Sequence, residues 1–246
     1  MIVSSHQKGW KIITQRSHGL LAAMIAYQYN IDLPVETMVP VLLAIAEHDD
    51  GVNETLAREN LTEAGAPRSF VVKNGRSKTN IAPLLSLLEI ANSKSQWNGL
   101  LTSLHIKFLY DGDHRKTDAA LDSFLKDQEK YRATVFKDLN INKKFADRLD
   151  RFLEWCDAFS LLICMDKIQH EGRKMEISKN PDGELNTVHY KSNKNICVEQ
   201  WPFKSPSFNV FYEYKILEQL QFDSIENFNE VYKAAQIERE LFCLSR

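Results

Sequence analysis

From Ser17 to about Glu171, apolar residues recur at helical spacing in one segment after another. "SHGLLAAMIAYQY" opens on a serine cap candidate and places Leu21, Met24, Ile25 and Ala26 toward a core. "VPVLLAIAEHDDG" reads as a more deeply buried helix, with Pro40 in its first turns and Gly51 as its stop. A shorter helical piece spans about Thr55 to Ala64. "GAPRSFVVKNGRSKTN" then reads as a long loop, and long loops in compact domains often carry function. Helix resumes at "IAPLLSLLEIANS" and "QWNGLLTSLHIKFLY" until "DGDH" breaks it. "TDAALDSFLKDQEKYRATVFKDL", with Thr117 as a cap candidate, alternates apolar and charged residues and presents one face to water. "NKKFADRLDRFLEWCDAFSLLICMDKIQ" has almost no polar relief in its middle, which is therefore buried.

After Gly172 the period shortens. "KMEIS", "NTVHYK", "NICVEQWPF" and "FNVFYEYKI" are β-rich runs separated by the turn signals "KNPDGE", "KSNK" and "KSPS". They predict a small antiparallel sheet, and "SIENFNEVYKAAQIERELFCL" predicts an amphipathic closing helix. The expected fold class is therefore mainly α: a helical core over residues 10–172, with residues 173–246 a β-rich extension plus C-terminal helix packed on it. Within the extension Trp201 and Phe203 flank Pro202, an aromatic group that suits packing of the sheet on the core better than a ligand wall.

Composition narrows the function classes. A chain of 246 residues with 43% hydrophobic and 26% charged residues is ordinary for a globular protein. The formal charge of −2 lacks the basic surplus that duplex nucleic acid or an anionic membrane demands, so neither is an expected partner. "MIVSSHQKGWKIITQ" has no basic end followed by a long apolar stretch, which makes the cytoplasm the expected location. Cys156, Cys164, Cys197 and Cys243 have no CxxC spacing and read as reduced core residues.

The candidate chemistry lies where ionisable residues interrupt apolar helices: His18, the His48–Asp49 pair, His105 and Asp157. Asp157 is the sharpest case, because "FLEWCDAFSLLICM" surrounds it with aromatic and aliphatic residues, and a buried carboxylate needs a cation or several donors. Neutral imidazoles and ionised carboxylates are the ligand set for zinc, iron, manganese and other divalent ions, and one ion would satisfy all these groups at once. Neighbouring helical residues point about 100° apart, so His48 and Asp49 reach one ion only at a helix end. Gly51 supplies that end.

The order His18, then His48–Asp49 closing an "LLAIAEHD" helix, then Asp157 resembles the H…HD…D signature of the HD-domain superfamily of metal-dependent phosphohydrolases. More closely, "ITQRSHGLLAAMIA", "LLAIAEHDDG", "SLHIKFLY", "WCDAFSLLIC" and "WPF" are similar to an uncharacterised bacterial family, domain of unknown function 3891. The resemblance covers most of the chain. It implies an HD-domain-like helical core and places His18, His48, Asp49 and Asp157 on a first metal site. His105 falls where some relatives carry extra histidines for a second ion; those relatives usually have two, and the nearby His114 sits in a turn.

The implied activity is hydrolysis of a small phosphorylated substrate, a phosphomonoester or phosphodiester, by water activated on a divalent ion (Fe, Mn, Zn or Mg). Asp49, His105 and Asp50 are the expected catalytic groups, with Glu47 and Glu54 as further candidate bases. Positive charge for the anion comes from the loop through Arg68, Lys73, Arg76 and Lys78, with Arg76 and Lys78 as the expected clamp, and from Arg16. A di-iron oxygenase and a noncatalytic metal-stabilised binding module are the rival readings.

Overall fold

The first helix, α1 (Gln15–Gln28), starts where the Thr14 hydroxyl accepts from Ser17 N–H; the cap is thus Thr14, and Ser17 lies inside the helix. A computed structural model describes residues 1–50, 60–70, 80–110 and 118–246. Helix α2 (Val35–Glu47) follows, then α3 (Ala82–Lys94), α4 (Gln96–Tyr110), α5 (Ala119–Asp138) and α6 (Lys143–Cys164). Asp118 rather than Thr117 caps α5, and Asn142 caps α6 by accepting from Phe145 N–H. The middle of α6 is sealed: Phe152, Trp155, Cys156 and Phe159 have no exposed surface. No helix among the described residues is long and apolar enough to cross a membrane.

The expectation of a mainly α fold with a small antiparallel extension is overturned. Strands β1 (Ile2–His6), β2 (Gly9–Ile13), β3 (Met175–Lys179), β4 (Leu185–Ser192), β5 (Asn195–Val198), β6 (Ser207–Leu217) and β7 (Ile237–Ser245) form one seven-stranded sheet in the order β1-β2-β6-β7-β5-β4-β3. It is mixed, because β5 runs parallel to β7 while the other neighbours are antiparallel.

Two segments account for the difference. The opening residues make a hairpin whose Gly9 has φ +141°, a backbone region that side chains with a Cβ avoid. At the other end, helix α7 (Ile225–Ala234) stops short, and "IERELFCLS" becomes a strand between β6 and β5. Its Glu-Arg-Glu-Leu run favours helix locally, but the alternation that counts is Phe242 and Leu244 inward against Leu241 and Cys243 outward. Hydrogen bonds from two neighbouring strands outweigh local propensity there.

One face of this sheet meets α1 and α6 through a core that joins Ile25, Phe152, Trp155 and Phe159 to Val210, Tyr212, Phe242 and Leu244. Phe203 joins it, 4.9 Å from Trp201 and 6.0 Å from Trp155 between ring centres, as a packing role requires. A separate cluster of Met1, Ile12, Leu217, Phe222 and Phe228 seats α7. Because β7 is central, Phe242→Ala is expected to cost about 3–5 kcal/mol in denaturant unfolding. Leu241→Ala, at a half-exposed neighbouring position, should stay within about 0.5 kcal/mol.

Candidate metal centre

Strand β2 pairs with β6 only as far as Ile12 opposite Lys215, and the chain then turns into α1. Beyond that point the Ser17 hydroxyl replaces the missing strand: it donates to Glu213 C=O at 2.8 Å and accepts from Glu213 N–H at 2.9 Å. This bond fixes the first turn of α1 on the sheet, and His18 with it. The next residue sets the distance to α2, since a Cβ at Gly19 would lie 2.3 Å from the Ala46 carbonyl oxygen. Only glycine permits that approach, which brings the rings of His18 and His48 to 4.9 Å.

His48 sits at the C-cap of α2, where the helix ends in a tight turn closed by Asp50 N–H on Glu47 C=O at 3.0 Å. The turn lets Asp49 face the same point as His48. Helix α4 contributes His105, its ring 5.0 Å from that of His48, and α6 contributes Asp157. His18 Nε2 lies 3.4 Å from Asp49 Oδ2 and 3.6 Å from Asp157 Oδ1; His48 Nε2 lies 3.6 Å and 3.4 Å from the same two oxygens. Donors about 2.1 Å from one tetrahedral ion stand about 3.4 Å apart, so the spacing fits a shared cation. His105 Nε2 is more distant, 4.0 Å from Asp49 Oδ1.

The outer hydrogen bonds point the histidine lone pairs inward. His48 Nδ1 is 2.7 Å from Ile45 C=O, which can only accept, so Nδ1 carries the proton and Nε2 is left bare. The Ser160 hydroxyl donates to Asp157 C=O at 2.8 Å and so accepts from His18 Nδ1 at 2.7 Å, with the same result. Gln15 Nε2 donates to Asp49 Oδ2 at 2.8 Å. Toward the centre, His48 Nε2, both ring nitrogens of His105, and Asp157 Oδ1 are buried without a hydrogen-bond partner among the described residues. His18, His48 and Asp49 make one group of donors within 4.8 Å of each other, and His48, His105 and Asp157 make another. These buried His and Asp groups could hold a metal ion. Because His48 has one lone pair to give, it could serve one ion but not two.

The charges are mutually compensating. Burial opposes ionisation of Asp49, but the hydrogen bond and charge of His18 and the charge of His48 hold its carboxyl well below the usual range. Asp157 is likewise held low against burial, by His48. Burial also works against a charged His48, but Asp157 and Asp49 raise it to about 9; burial lowers His105 to about 4 and leaves it neutral near pH 7. At the rim Arg16 Nε is 3.4 Å from Asp50 Oδ1, and Lys94 pairs with Glu47. Burial raises the Asp50 carboxyl above its usual range. Of the other expected residues, Arg68 is held by its N–H on Asn60 C=O at 2.7 Å, while Gly51, Glu54, Lys73, Arg76, Lys78 and His114 lie outside the described residues.

A divalent ion must displace the His48 proton. Its affinity should therefore rise about tenfold per pH unit toward pH 9, with one proton released, as titration calorimetry in two buffers would measure. Ser160→Ala frees the His18 ring and should weaken binding about 10–100-fold, with Ser160→Thr restoring much of it.

No curated protein and no solved structure matches the chain. A family model described as "Protein of unknown function (DUF3891)" matches residues 1–219, from β1 through β6 and including every residue of the cluster, and the chain belongs to that family.

Proposed function

We propose that the protein hydrolyses a phosphomonoester or phosphodiester at a divalent ion held by His18, His48, Asp49 and Asp157. The observation that carries this reading is the convergence of two imidazole nitrogens and two carboxylate oxygens at 3.4–3.6 Å, a spacing that suits an ion, with His48 Nε2 and Asp157 Oδ1 buried and without a hydrogen-bond partner among the described residues. The likeness of the His18, His48–Asp49, Asp157 order to the HD-domain signature supports it. When bound, the ion would polarise a phosphoryl oxygen and lower the pKa of water.

The chain's own residues divide the remaining work. The histidines are sealed, at most 2% exposed, whereas the side chains of Asp49 and Asp157 are 26% and 14% exposed. The centre therefore opens to solvent on its carboxylate side, as catalysis requires and a closed structural site does not. His105, neutral and with both nitrogens free of hydrogen bonds to the described residues, is proposed to hold a water or phosphoryl oxygen and to accept a proton. Asp50, at the mouth beside Arg16, is the proposed second proton acceptor. Arg76 and Lys78 are proposed to clamp the anion, with Arg16 and Lys94 adding positive charge at the rim.

Asp49→Asn keeps the shape of the side chain and removes its charge. The variant should bind metal at least about 100-fold more weakly and lose metal-dependent turnover across a phosphoester screen. It should also lose the stabilisation that saturating metal gives the wild type, about 2.7 kcal/mol at a hundred times Kd. Stoichiometric metal in a wild type that turns over none of these esters would leave a metal-stabilised binding module instead.

A further inference from the structure

Helix α2 is apolar on the side that faces water as well as on the side that faces the core. Thr37, Val41, Ala44 and Ile45 are buried, while Val35, Val39 and Leu43 leave 75%, 59% and 37% of their surface exposed. The only charged residues among its 13 are Glu36 and Glu47, and Glu47 is taken up by Lys94. A helix that is hydrophobic nearly all round is normally covered all round, and an exposed apolar face marks an interaction surface. Helix α1 packs alongside, with Gly19 against the backbone of Ala46, and leaves Leu20 and Tyr27 exposed two turns apart. Side by side, α1 and α2 span about 20 Å by 20 Å, a corrugated face that approaches the roughly 800 Å² each side of a stable dimer covers.

Spacing and charge point to the occupant. Val35, Val39 and Leu43 stand four residues apart and so form the ridge that packs against a like ridge in the commonest helix crossing. A two-fold axis at Val39 brings Val35 of one copy beside Leu43 of the other, so the same patch serves both. The N-terminal end of α2 is acidic, with Asp32 and Glu36 exposed. At the C-terminal end Arg16 and Lys94 pair with Asp50 and Glu47 of the same chain, which leaves that end near neutral. A parallel pairing would set acid on acid, whereas an antiparallel one sets each acidic end beside the other copy's cations. The same acids oppose adsorption to an anionic lipid surface, which favours Lys and Arg around an apolar helix face. We infer that the protein pairs with a second copy of itself through α2, antiparallel about Val39.

Solution mass and cross-linking test the pairing, and neither depends on turnover or metal. By light scattering at about 100 µM, well above the Kd of a stable interface, the full chain should weigh twice its 28.4 kDa. Val35→Asp and Val39→Asp change exposed positions and should each give a monomer whose circular dichroism matches the wild type. Leu241→Asp, equally exposed but on the sheet, should remain a dimer. On mild oxidation Val39→Cys, at the axis, should form a disulfide-linked dimer beyond the wild-type background. Val35→Cys should not, because in the antiparallel pair it lies about 12 Å along the helix from its counterpart, too far for a disulfide. A dimer that survives both aspartates, no cross-link through Val39→Cys, or equal cross-linking at both positions overturns the inference. So does a monomeric wild type, including one that instead sediments with phosphatidylcholine vesicles and so gives this face to lipid.

Discussion

Burying two carboxylates and three imidazoles at the meeting point of four helices costs several kcal/mol or more unless something compensates them. Without metal, a protonated His48 between Asp49 and Asp157 supplies part of the compensation. It still leaves both ring nitrogens of His105 without a hydrogen-bond partner among the described residues. A divalent ion meets the need better, because it neutralises both carboxylates and takes up the Nε2 lone pairs of His18 and His48 together. The remaining polar contacts make sense as the frame for that arrangement: Ile45 C=O and Ser160 fix two imidazoles, and Gln15 orients Asp49.

The sheet matters to the centre because it fixes the helices that bear the candidate ligands. Ser17 completes the edge of β6 where β2 leaves it, so His18 is registered against a strand rather than a loop. Gly19 then admits the backbone of α2 to the same turn of α1. The outer face of that turn opens on a groove against β6 and α7. A single helical turn thus links the sheet, the ligand cluster and the solvent-facing side of the molecule. This makes the N-terminal hairpin part of the site's support, although it contributes no ligand.

The cluster was legible because each member breaks an apolar helical pattern at an unfavourable place: Asp157 within "EWCDAFSLL", His105 within "SLHIKF", and two ionisable residues in succession at the close of α2. The supporting residues left fainter signals. A glycine inside a helix, beside a histidine, is a mark of close approach, and Gly19 carries it. Ser160 stands three residues after Asp157, a spacing that places both on one helix face, but serines at that spacing are common. The strands at the two ends were not legible for a different reason. β1 has only five residues, with two serines among them, and β7 uses strong helix formers. β1 is a strand because β2, itself anchored on the distant β6, pairs with it, and β7 is one because β6, across α7, and β5, further back in the chain, flank it; local propensity registers neither.

One ion joining His18, His48, Asp49 and Asp157 is the centre proposed, and elemental analysis tests it most directly. The protein should be purified without chelator and without a metal-affinity resin, alongside His48→Ala. One equivalent of a transition metal in the wild type and less than about a tenth of that in the variant is the predicted result, since His48 stands in both donor groups of the cluster. A wild type that stays metal-free after incubation with Mn(II), Fe(II) and Zn(II), or a variant that keeps its full equivalent, would contradict it.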